Sequence, residues 1–88
     1  MRRDPEFFGD REMTLIYIGK RLRDALRLES VLTEAGLDYA VETDTYHGGV
    51  VFRSERVGAF FYVLPEALEA TREVMRQHRF KPQAEFPS

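Results

Sequence analysis

His47 and His78 are the only histidines of the chain. Neither has a carboxylate three or four residues further on, the spacing that sets two ligands on one turn of a helix, so no metal site is expected. Ser30, Ser54 and Ser88 lie in no recognisable nucleophile turn. Asp44 and His47 share a glycine-containing loop segment and form the one acid–base pair in view, too weak a signal for a catalytic assignment. Gly48-Gly49 lacks the surrounding spacing of a nucleotide loop, and no lysine follows it. The expectation is a protein that is not an enzyme and carries no cofactor. One cluster remains. Lys20, Arg21, Arg23 and Arg27 gather where a helix should begin, beside backbone N–H groups that point outward, and could hold a phosphate or carboxylate. Lys20, Arg21 and Arg23 are the candidate anion-binding residues. The simpler account is a solvated basic face, partly balanced by Asp24 and Glu29.

The elements that would position these residues follow from periodicity. Thr14 to Ile18 is β-branched and aromatic, and reads as a first strand ended by Gly19. Lys20 to Ala35 reads as a helix, with Leu22, Ala25, Leu28, Leu32 and Ala35 on one stripe, and Leu26 and Val31 on its margins. Gly36 stands where a left-handed cap is expected. Asp38 to Thr43 alternates as a half-buried strand, and Asp44 to Gly49 has the composition of a turn. Val50 to Arg53 reads as short and extended, and Ser54-Glu55-Arg56 as a tight turn. The 50–60 region is then either a hairpin extending the main pairing or a separate strand.

Ala59 to Leu64 is an unbroken apolar run that feeds Pro65 and Glu66 into a helix with Ala67, Leu68, Thr71, Val74, Met75 and His78 at three- and four-residue spacing. Glu66, Glu69, Arg72, Glu73 and Arg76 form its mixed charged face. Phe80 to Phe86 reads as a short edge strand or a tail. The expected organisation is an N-terminal arm (1–12), a domain (13–79) and a C-terminal tail or edge strand (80–88). The expected fold is a two-layer ferredoxin-like α+β plait. Two helices would cover one face of an antiparallel sheet, with the third strand between the first two.

Composition narrows the function classes. The 88 residues suffice for one modest core. There is no cysteine, which excludes a disulfide framework and thiolate chemistry. A formal charge of -2 disfavours a nucleic-acid partner. No window resembles a membrane span or a secretory leader, so a cytoplasmic protein without a membrane partner is expected.

The two central strands depart from what a plait open on one side requires, because both are apolar front and back. Simple alternation places Leu15 with Tyr17 and Ile16 with Ile18, and separates Phe60, Tyr62 and Leu64 from Phe61 and Val63. If the tyrosine-bearing set looks away from the helices, Tyr17, Phe60 and Tyr62 form an open aromatic face that needs a cover. The cover could be a second copy, giving a homodimer, the Phe-bearing ends of the chain, a protein partner or an apolar ligand. Phe7 and Phe8, adjacent in a charged arm, are expected to dock.

Glu34-Ala35-Gly36-Leu37 and Val63-Leu64-Pro65-Glu66, with the strands and helices around them, resemble a family of small bacterial signal-transducing domains folded like the PII nitrogen regulators. The resemblance runs from Thr14 to about His78 and rests on a helix stop and a strand-to-helix turn. It implies a ferredoxin-like fold with a functional loop between the second and third strands, at residues 44–58, with Tyr46 inside it. The family brings no established activity to transfer. Acylphosphatases share the fold but rely on an asparagine, and this chain has none. Two functions are expected: a regulatory module that self-associates through its open face, or a sensor binding an anionic metabolite at the first helix.

Overall fold

The computed structural model describes the backbone of residues 1–48 and 54–81, and the side chains of residues 1–44 and 57–81. A 3-10 turn at Pro5–Phe8 precedes strand β1 (Thr14–Gly19), helix α1 (Leu22–Glu34), strands β2 (Ala40–Gly48) and β3 (Ser54–Val63), a 3-10 turn at Pro65–Ala67, and helix α2 (Leu68–Gln77). The apolar run becomes the central strand. β3 pairs antiparallel with β1 on one side and β2 on the other, in the order β1-β3-β2. β1 and β2 therefore run the same way, with α1 as their crossover and β3 in the gap.

Both helices pack on one face. Ala25, Leu28, Val31 and Leu32 of α1 and Met75 of α2 are buried with Ile16, Tyr39, Phe61, Val63 and Phe80 in a single core. Buried hydroxyls are satisfied locally. Thr71 donates to the Ala67 carbonyl at 2.7 Å, and Tyr39 donates to the Glu29 carbonyl at 3.0 Å while meeting Thr33 Oγ1 at 2.9 Å. Gly19 allows β1 to run close beneath α1, since a Cβ there would sit 3.1 Å from that of Ala25.

The two helices close with the same hydrogen-bond pattern. Gly36, at φ 75°, lets its own N–H reach the Thr33 carbonyl and that of Leu37 reach Leu32. At the end of α2 the left-handed position is held by Arg79, at φ 64°, with the Arg79 N–H on Arg76 and the Phe80 N–H on Met75. This second turn swings Phe80 back into the core. His78 is exposed rather than part of the buried stripe, which ends at Met75.

Four further expectations are corrected. Asp44 to Gly48 is not a turn but the continuation of β2, paired with Ser54 to Gly58. Ser54-Glu55-Arg56 is likewise strand, so residues 44–48 and 54–58 extend the main pairing and the two strands are longer than alternation suggested. Leu22 is 76% exposed and Ala35 exposed, because the buried stripe of α1 starts only at Ala25. Finally, the pairing of β1 slips between Leu15 and Tyr17, leaving Ile16 as an extra residue. A bulge resets alternation, so Ile16 and Tyr17 both turn toward the helices, while Leu15 and Ile18 share the other face. Tyr17 meets Phe61 and Phe80 edge to face, at 6.1 and 5.5 Å between ring centres. It does not belong to the open face. The expected extension at Val50 to Arg53 and most of the 80–88 tail lie outside the described residues.

Candidate functional site

The face away from the helices is built by register. Leu15, Tyr62 and Ala40 form one row across the three strands, and Ile18, Phe60 and Glu42 the next. Tyr39 is in the helix-side core, so its neighbour Ala40 points the other way, yet Ala40 is only 2% exposed. Its cover is the N-terminal arm. Phe8, 5% exposed, lines a hollow together with Pro5, Met13, Ala40, Glu42 and Tyr62. Phe7 stays exposed and meets Phe8 edge to face at 5.1 Å. Tyr62 holds its hydroxyl proton more tightly than an ordinary tyrosine, first through burial and then through the nearby charges of Glu42 and Asp44.

Several contacts fasten the arm. Arg3 N–H donates to the Tyr39 carbonyl at 2.8 Å and Tyr39 N–H to the Met1 carbonyl at 3.2 Å, so Arg2 forms a parallel bridge with Tyr39. Arg3 Nε lies 3.0 Å from Asp38 Oδ1 and its guanidinium sits 4.6 Å from the centre of the Phe7 ring. Arg2 pairs with Glu29 at 3.4 Å and Arg11 with Glu66 at 2.6 Å. The Arg11 hydrogen bond holds the Glu66 carboxyl below its usual range. Such exposed ion pairs contribute little each, so the buried ring of Phe8 does most to hold the arm. The arm leaves Leu15, Ile18 and Phe60 half-buried.

No protein-family model, curated protein or solved structure matches the chain.

Of the candidate anion-binding residues, the structure brings two together. Lys20 and Arg21 border a small hollow of about 220 Å³ whose walls include Leu22, Ala25, Thr43, Val57 and Ala59. Arg21 occupies the cap position of α1 in an extended conformation and makes no side-chain capping bond, which leaves the first turn's N–H groups facing outward. Arg23 is exposed and does not line the hollow. Arg27 is used elsewhere: its Nη2 donates to the His78 carbonyl at 2.6 Å and its guanidinium lies 4.4 Å from the Phe80 ring centre. The side chain of His47 lies outside the described residues, so the Asp44–His47 pair has no geometry to weigh. Among the described residues, no helix is long and apolar enough to cross a membrane, and no three His, Asp or Glu residues converge as a metal site would require.

Sequence reasoning singled out Tyr17, Phe60 and Tyr62 as the exposed aromatic set. The structure keeps Phe60 and Tyr62 on the open face and replaces Tyr17 by Leu15 and Ile18. Docking of the arm was expected and holds for Phe8 but not for the exposed Phe7; the part missed was its place beside Ala40. Its only signal was the adjacent Phe7 and Phe8 in an otherwise charged segment.

Proposed function

We propose that this chain is a non-enzymatic regulatory interaction module, built as a ferredoxin-like plait, that dimerises through the part of its open sheet face left by the arm. What supports the plait is the strand order β1-β3-β2 with a helix following β1 and another following β3. What supports the dimer is the half-buried apolar row of Ile18 and Phe60 with Leu15 beside it, on a face where the arm borders Ala40, Glu42 and Tyr62. A central strand with large apolar side chains on both faces gains from a cover on each. Light scattering coupled to gel filtration tests this. The native chain should run as a dimer and Phe60→Lys as a folded monomer. A native chain that stays monomeric at high concentration, or a folded Phe60→Lys that remains dimeric, refutes the assignment.

The start of α1 supports a second function, a sensor of an anionic metabolite. Lys20 and Arg21 flank the hollow beside the uncapped helix end. Thermal shift against inorganic phosphate, nucleotides and small organic acids tests it, with Lys20→Ala or Arg21→Ala expected to abolish any stabilisation. No shift with any of these probes would dismiss it.

A further inference from the structure

β2 lies at the edge of the sheet, with β3 on one side and, among the described residues, only the Met1–Arg3 segment on the other, at Tyr39. The N–H and C=O of Tyr39 both point outward to that segment. Strand alternation carries those of Val41 and Thr43, two and four residues on, to the same outward side. The chain thus already accepts one extended segment on this edge, and the next residues of the edge continue in line. Above the edge runs the flank of α1. Leu22 and Leu26 share that flank at a spacing of one turn and are 76% and 54% exposed, the first bordering a hollow with Thr43 and Val57, the second one with Tyr39 and Arg2. Val57 adds 63% exposure at the same end. Below the edge, on the open face, stand the exposed Glu42 and Asp44.

We propose that the outer edge of β2 from Ala40 to Asp44 is a docking edge for an extended segment of a partner protein that alternates apolar and basic residues. Main-chain hydrogen bonds to Val41 and Thr43 would hold the segment as an added strand. Its apolar side chains would turn up against Leu22 and Leu26, and its basic ones down to Glu42 and Asp44. The charge pattern selects against a second copy here, since two β2 edges pairing antiparallel would bring their own acidic residues together. The site adjoins the Ile18–Phe60 row, because Glu42 ends that row, but its main-chain contacts lie on the outer edge, at Val41 and Thr43, which the open face does not use.

The probe is a short fluorescent peptide alternating valine and lysine, N-methylated along one edge so that it cannot pair with itself. Fluorescence anisotropy with the native chain should show saturable binding, with amide resonance shifts centred on Val41 and Thr43. N-methylation along both edges of the same peptide should remove binding. Glu42→Lys, an exposed change that leaves the core untouched, should weaken binding by about tenfold or more. Leu22→Asp with Leu26→Asp should do the same. The proposal is overturned by absent binding, by equal affinity for a valine–glutamate peptide, or by shifts confined to residues away from β2.

Discussion

On one face of the sheet, Ile16, Tyr39, Phe61 and Val63 lie under two helices and lose nearly all contact with water. On the other, Ala40 and Tyr62 lie under a single short turn of chain held by one buried ring, that of Phe8. The first cover is part of the cooperative core. The second contacts it through one aromatic side chain, a parallel bridge and surface ion pairs, so it can open while the rest stays folded. Burial at Phe8 and at Phe61 is similar in extent and different in consequence.

Substitutions can break or sharpen that contrast. Phe61→Ala should cost about 3–5 kcal/mol in global stability, read from chemical denaturation, because it empties the middle of the helix-side core. Phe8→Ala should cost less, about 1–2 kcal/mol, since the loss cannot exceed the energy of seating the arm. Hydrogen exchange should then quicken at Arg3 and Tyr39 while α1 keeps its protection. If Phe8→Ala instead unfolds the chain as Phe61→Ala does, both faces belong to one cooperative unit.

Alkaline titration offers a third comparison. Burial raises Tyr17 and Tyr39 on the helix side and Tyr62 on the arm side above the ordinary value near 10. A group raised in the folded state stabilises it fully below its unfolded value, and that contribution is lost as pH climbs through the folded value. Stability should therefore fall on going above about pH 10. Glu42→Gln with Asp44→Asn should bring only the Tyr62 titration, followed by tyrosinate absorbance, back toward the ordinary range, leaving Tyr17 and Tyr39 unmoved. The smallest expected effect concerns the turn that delivers Phe80 to the helix-side core. Arg79→Gly should raise stability by about 0.5–1 kcal/mol, because glycine holds a left-handed conformation without the clash of a Cβ.

Much of the helix-side layer was legible in the sequence because its signals are local. The helical stripe of Ala25, Leu28 and Leu32, the stop at Gly36 and the passage from Val63 through Pro65 each depend on neighbours in the chain. What escaped depends on distant partners. Asp44 to Gly48 has turn-like composition, and becomes strand only because Ser54 to Gly58 lies alongside it. In β1 the series Leu-Ile-Tyr-Ile is apolar at every position, so alternation could place Tyr17 on either side and nothing marked Ile16 as the surplus residue. The candidate site fared in between: Phe60 and Tyr62 follow from their run, whereas the seat of Phe8 on Ala40 required the folded sheet.

The surplus residue in β1 also constrains how the chain can change. Removing Ile16 would restore plain alternation, but it would leave β1 one residue short between Leu15 and the close approach of Gly19 to Ala25. Either the segment up to Gly19 would have to slide along β3, or α1 would have to start a residue out of place. Substitutions at this position are matters of size and shape, whereas a one-residue deletion is a matter of length, felt at every contact from Tyr17 to the first turn of α1.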